Sequence, residues 1–106
     1  MGQEENTIKL ESKFQSELIK EIKEIFPGCI VLKNDPNYIQ GFPDLTVLYH
    51  DRWAVLEVKR DSKAREQPNQ QYYIEKAHEM GFAAKVFPEN KEEVLDELQR
   101  SFRPSR

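Results

Sequence analysis

Cysteine occurs once in the chain, at Cys29. A single thiol excludes an internal disulfide and any cysteine-rich zinc site, and it points to a reducing, cytosolic setting. The two histidines, His50 and His78, stand alone and read as surface residues of a turn and a helix. No apolar run approaches the ~18 residues of a membrane span. The opening Met-Gly-Gln-Glu-Glu has no basic-then-apolar leader, and Asn6 stands where a Met-Gly myristoylation pattern wants Ser or Thr. An excess of basic charge is missing too. Lys and Arg total 16 against 19 Asp and Glu, a net charge of −3, which argues against a protein that coats nucleic acid and leaves room only for a local basic patch.

What is present is one domain's worth of apolar residues. Leu, Ile, Val and Phe make up 27 of 106 residues, above the fifth or so below which a chain stays disordered. The pattern predicts a helix over 8–26, with Leu10, Phe14, Leu18, Ile22 and Ile25 on one face, stopped by Pro27-Gly28. Strands follow at 29–32, 44–49 and 53–59, the last two joined by a three-residue link, His50-Asp51-Arg52. Pro68 should sit in the first turn of a helix running to Met80, with Tyr73, Ile74, Ala77 and Met80 as its stripe and Gly81 as its end. A strand over 82–87 and a last helix complete the order αβββαβα, with Asn90 as N-cap and Glu93 completing a capping box. The ends, 1–7 and 103–106, read as loose tails.

Several polar residues occupy positions that this pattern reserves for apolar ones. In Trp-Ala-Val-Leu-Glu-Val-Lys, Glu57 and Lys59 fall on one strand face while Ala54, Leu56 and Val58 take the other. A central strand would bury that pair; an edge strand would leave it solvated. Glu11 projects into the middle of the first helical stripe, and Gln70 into the second. A carboxylate and an amide pointing inward are costly to desolvate unless they meet partners. Asp44 opens the strand that would pair with the Glu57 strand. Three hard oxygen ligands, Asp44, Glu57 and Glu11, without clustered His or Cys, select Mg2+ or Mn2+ over zinc, and Lys59 beside them can hold a water.

Pro43-Asp44, twelve residues, then Glu57-Val58-Lys59 resembles the Pro-Asp…(Asp/Glu)-X-Lys signature of the PD-(D/E)XK nucleases. With Gly41-Phe42-Pro43-Asp44-Leu45, Leu56-Glu57-Val58-Lys59, Asn69-Gln70 and Met80-Gly81, the string is similar to the VRR-NUC group, small nucleases of phages and of larger repair enzymes related to Holliday-junction resolvases. The resemblance spans about residues 11–87. It implies an α/β, restriction-endonuclease-like core, a mixed central sheet flanked by helices, and divalent-metal phosphodiester hydrolysis. It also implies metal ligation by Asp44 and Glu57, a water-positioning Lys59, a motif glutamine at Gln70, and a first-helix glutamate at Glu11. Glu17, in Glu-Leu-Ile-Lys, is the other candidate for that last role. Related sequences often carry an arginine before the position of Gly41; here Lys33, Asn34 and Gln40 stand in that loop.

After the strand the chain reads Lys-Arg-Asp-Ser-Lys-Ala-Arg, so Arg60, Lys63 and Arg65 are expected to meet DNA phosphates, with Lys33, Asn34, Asn37 and Tyr38 forming a second contact loop. No base-reading helix is evident, which favours recognition of shape, branched DNA above all, over sequence. Trp53, Tyr72 and Tyr73 read as core or interface residues rather than base-stacking ones. Resolving a junction symmetrically favours a homodimer, for which Ile19, Phe26 and Tyr72 are the spare apolar residues. The competing expectations are a nicking or restriction-like nuclease on duplex DNA, and a non-catalytic nucleic-acid-binding module with the same fold.

Overall fold

A computed structural model describes residues 2–104, with side chains described from Lys9 onward. Helix α1 spans Gly2–Ile25, so residues 2–7 continue the helix rather than forming the expected loose tail; Met1, Ser105 and Arg106 lie outside the described residues. The predicted stripe begins one turn late. Leu18 and Ile22 are fully buried and Phe14 packs beside them, whereas Leu10 is 59% exposed. The cause is length. Twenty-four helical residues extend about 36 Å, while the longest strand, seven residues, covers only about 23 Å, so the first turns overhang the sheet.

Strands β1 (Ile30–Lys33), β2 (Leu45–Tyr49), β3 (Arg52–Val58) and β4 (Phe82–Val86) form one mixed sheet in the order β1-β2-β3-β4. The first three run antiparallel, and β4 joins β3 in parallel through helix α2 (Gln70–Met80); helix α3 (Lys91–Ser101) follows. The observed order is therefore αβββαβα, an α/β fold with three helices. Leu45, Val47, Ala54, Leu56, Val58, Phe82 and Val86 line one face and pack with Leu18 and Ile22 of α1 and with Val94, Leu95 and Leu98 of α3. The opposite face carries Val55 and Ala83, covered by Ala77 and Ile74 of α2.

Local chemistry shifts several predicted boundaries. Tyr49 pairs with Arg52, leaving a two-residue link in which His50 takes φ 54°, so the turn is tighter than the expected three residues. Arg52 thereby joins the strand, where Nη1 donates to the carbonyl of Ser101 (3.3 Å). Pro68 stays outside α2, which starts at Gln70 after Asn69 at φ 70°. Met80, the helix's last residue, is 64% exposed rather than part of the buried stripe. Asn90 does not cap α3 with its side chain. Its Oδ1 accepts the Phe87 N–H (2.9 Å) and its Nδ2 donates to the Lys85 carbonyl (3.1 Å), knitting the β4–α3 turn instead. Phe26 is not spare for a partner. It is 5% exposed, in an aromatic cluster with Tyr49 and Phe102, each ring 5.1 Å away. Among the described residues no helix is long and apolar enough to cross a membrane.

Gly81 ends α2, but not through a left-handed turn: its φ is −169°, extended backbone open to any residue. Glycine is required because a Cβ there would lie 2.8 Å from the Trp53 ring. Gly81→Ala is expected to lower unfolding free energy by about 1–3 kcal/mol through forced repacking, with an unchanged denaturant slope in a urea titration.

Candidate functional site

The β2–β3 register decides where the polar residues meet. Leu45 pairs with Leu56, so Asp44 falls opposite Glu57 on the same sheet face. That face is the one α2 covers, and Gln70 is the first residue of α2. β3 has a neighbour on both sides, so the acid–base pair is buried, as a central strand requires. Among the described residues, the buried polar or charged side chains are Glu57, Lys59 and Gln70, at 3%, 6% and 6% exposure.

These three form one hydrogen-bonded knot. Gln70 Nε2 donates to Glu57 Oε2 (2.6 Å), and Lys59 Nζ donates to Gln70 Oε1 (2.9 Å). Lys59 Nζ also donates to the Arg65 carbonyl (3.2 Å) and lies 3.4 Å from Glu57 Oε2. The Gln67 N–H reaches Gln70 Oε1 (2.8 Å), so the loop before α2 is bound into the same knot. Asp44 is held separately: its Oδ2 accepts the Val58 N–H at 2.8 Å. One atom remains unmatched. Glu57 Oε1 is buried and has no hydrogen-bond partner. A buried acceptor left in that state costs about 1–3 kcal/mol, more when charged.

The same residues open onto a pocket of about 400 Å3, whose lining includes Glu11, Asp44, Glu57, Lys59, Arg60, Arg65 and Gln70. The overhang of α1 is what carries Glu11 there. Glu17 is exposed and borders a different hollow with Lys13 and Lys91, so of the two first-helix candidates it is Glu11 that reaches the pocket. Burial pushes all three carboxyls above their ordinary range. For Glu11, burial and then the Asp44 charge raise it against Lys59 and Arg60. For Asp44, burial outweighs the Val58 N–H and Lys59. For Glu57, burial, reinforced by Asp44 and less by Glu11, overcomes Lys59 and lifts the group to about 7.

A divalent cation fits this donor set on one observation above all. Glu57 Oε1 is unpartnered, and its carboxyl shares a pocket with Asp44 and Glu11, whose charges add to the desolvation that disfavours its ionised form. Among the described residues, however, no three His, Cys, Asp or Glu side chains come together as a ready-made metal cage. Asp44 and Glu57 are thus the pair that would hold an ion, with Glu11 in the same pocket wall.

The basic residues divide. Arg60 and Arg65 line the pocket, and Lys63 is exposed on the same loop. That loop is strapped to the β4–α3 side: Glu89 Oε2 accepts from Ser62 N (3.2 Å) and Ser62 Oγ (3.1 Å), and Glu66 pairs with Lys85. Lys33 is exposed at the end of β1. Asn34 is engaged internally, since its Nδ2 donates to the Pro43 carbonyl (2.8 Å) and its Oδ1 accepts from Thr46 Oγ1 (3.0 Å). Trp53 packs under α2, and the Tyr73 ring meets Phe42 edge-on at 5.7 Å, while Tyr72 is exposed. Cys29 is half-buried against the core, and burial pushes its thiol up.

Sequence reasoning missed the backbone partners, the Arg65 carbonyl and the Gln67 N–H, because main-chain donors leave no mark on residue type. It also understated Gly41. At φ 87°, Gly41 lies so close to the start of α2 that a Cβ would come within 2.8 Å of Asn69.

The raised Glu57 carboxyl has a stability consequence. Its folded-state value, about 7, lies above that of the unfolded chain, so the folded state binds more protons across that interval. Its contribution to stability is fully present below about pH 4.5 and is lost as pH rises through 7, by up to roughly 3 kcal/mol. In chelator-containing buffer, urea unfolding is expected to show this decline, and Glu57→Gln is expected to flatten it.

Compared with protein-family models, curated proteins and solved structures, the chain matches none.

Proposed function

We propose that this chain is a divalent-metal-dependent DNA endonuclease of the PD-(D/E)XK type, with a restriction-endonuclease-like core in the VRR-NUC manner, acting on branched DNA such as Holliday junctions in a cytoplasmic setting. The observation that carries the reading is the unpartnered, buried Glu57 Oε1, opposite Asp44 and tied to Lys59 through Gln70, in a pocket walled by Arg60 and Arg65. Structural ion pairs are normally satisfied on every buried atom; a site awaiting a ligand is not.

Bound at Asp44 and Glu57, Mg2+ or Mn2+ supplies a Lewis acid for the phosphoryl oxygens and a more acidic water. The chain's own groups do the rest. Gln70 fixes the rotamers of Glu57 and Lys59 at once. The Arg65 carbonyl and Gln70 hold the Lys59 amine at the pocket wall, where it orients the attacking water and offsets charge building on the phosphate. Arg60, Arg65 and Lys63 bind flanking phosphates, and Lys33, exposed at the end of β1, is a separate candidate for a phosphate contact.

Labelled single-strand, duplex, flap and four-way-junction DNAs incubated with Mg2+, Mn2+ or chelator test the reading. Cleavage is expected with either metal and none with chelator. Asp44→Ala and Glu57→Ala are expected to abolish it and to lose divalent binding in calorimetry. Lys59→Ala is expected to cut the rate about 100- to 1000-fold while DNA binding persists, and Gln70→Ala is expected to have a smaller effect. No metal-dependent cleavage of any DNA would leave a binding module as the function.

A junction-cutting enzyme of this size acts as a C2 homodimer, so that two sites stand in a fixed relation. The apolar surface available for it is the part of the sheet that α2 leaves bare. Ile30 pairs with Leu48 in register, Leu32 lies two residues along, and the three are 55%, 38% and 47% exposed. Light scattering at micromolar concentration is expected to give twice 12.5 kDa, and Leu48→Lys is expected to shift it to the monomer mass.

A further inference from the structure

The loop 34–43 is held from both ends. The Asn34 N–H donates to the Asp44 carbonyl (2.7 Å), and the Asn34 amide bridges Pro43 and Thr46. Inside the loop, the Asn37 N–H reaches Asp35 Oδ1 (2.8 Å), the Tyr38 N–H the Asp35 carbonyl (3.3 Å), and the Phe42 N–H the Ile39 carbonyl (3.2 Å). A loop so tied has a set shape. Yet it carries Tyr38 with 84% of its surface in water, more than any other large apolar or aromatic side chain among the described residues. Tyr38 borders a hollow of about 380 Å3 with Ile39 and Phe42, and with Asn34 and Asp35. Phe42 also lines the pocket that holds Asp44 and Glu57, so the two cavities share a wall.

We propose that this hollow seats one unpaired nucleobase of the DNA strand being cut, stacked on Tyr38. The inference rests on the nuclease reading and names the substrate feature that the enzyme selects: an unstacked base beside the scissile phosphate, as at a flap, a junction or a single-strand end. Three features fit a base rather than another apolar group. The base is tethered to the phosphate that the adjoining pocket would take, so one nucleotide spans the shared Phe42 wall. The exposed aromatic presents a flat π surface, which every base can match. The Asp35 carboxylate offers an acceptor for an exocyclic amino group. A base inside continuous duplex has both faces covered by its neighbours and reaches such a seat only at the expense of unstacking.

The test uses flap DNA with 2-aminopurine at successive positions around the branch, in Ca2+ or chelator so that nothing is cut. Wild-type protein is expected to change the probe's fluorescence at one position next to the branch. Tyr38→Ala is expected to abolish that change and weaken flap binding about 5- to 100-fold, with under twofold effect on blunt duplex. Tyr38→Trp is expected to retain both, showing that the aromatic face is what matters. Equal weakening on duplex and flap, or no effect of Tyr38→Ala on either, overturns the proposal. Asp44→Ala separates the two readings, because it removes cleavage and leaves the fluorescence change. A Tyr38-dependent signal in a protein that cuts no DNA would overturn the nuclease and keep the seat. Asp44-dependent cleavage without that signal would do the reverse.

Discussion

The hydrogen bond from Gln70 to Glu57 is the contact on which the arrangement of the site depends. It is short, 2.6 Å, and buried, and it joins the first residue of α2 to the end of β3. A carboxylate placed there alone would force either a proton onto itself or water into the core. With Gln70 present, one oxygen of Glu57 is satisfied, Lys59 is caught by the other end of the same amide, and the loop before α2 is bound through Gln67. Half-satisfied networks in a low-dielectric setting are more costly than apolar packing, so the unmatched oxygen keeps a desolvation cost within the knot.

Desolvation also sets the electrostatics of the pocket. Glu11, Asp44 and Glu57 raise or are raised by one another, and Lys59 and Arg60 offset only part of the effect. Arg60 is itself shared with Asp61, at 3.3 Å. The site is therefore deficient in positive charge, in the place where the chain's acidic balance gives least help. A core built only for stability would carry the β-branched residues a strand favours; Glu57 in β3 and Lys59 just after it depart from that local rule.

Much of this was readable from residue order because both periodicities are strict. Alternation along a strand put Glu57 and Lys59 opposite Ala54, Leu56 and Val58, and the helical angle put Glu11, rather than Glu17, towards the site. What periodicity cannot convey is where an element outruns its support. Leu10 shares the helical face of Leu18 but lies beyond the sheet, and Met80 shares that of Ala77 but lies at the end of its helix. Phe26 projects off the stripe, and only the long-range approach of Tyr49 and Phe102 buries it. The side-chain bonds of Asn90 and the pairing of Arg52 differ from expectation for another reason. Both are short-range decisions between competing hydrogen-bond or φ options that residue type leaves nearly balanced.

The two faces of the sheet have different tasks, and side-chain size enforces the division. The face under α1 and α3 is filled by large residues, Leu18, Ile22, Leu45, Leu56 and Leu98 among them, and supplies the main core. The face under α2 presents Val55 and Ala83 to Ala77 of the helix, with Gly81 against Trp53 at the helix's end. Small residues let a helix sit close to a sheet, and that closeness lets the Gln70 amide reach Glu57. At the other end Gly41 performs the same service, admitting the backbone of Asn69 at a distance no Cβ would allow. Larger residues at either contact would add apolar burial and push α2 outward. They would break the 2.6 Å contact and leave Glu57 and Lys59 buried without their shared partner. The modest packing on this face is the physical condition for the polar knot.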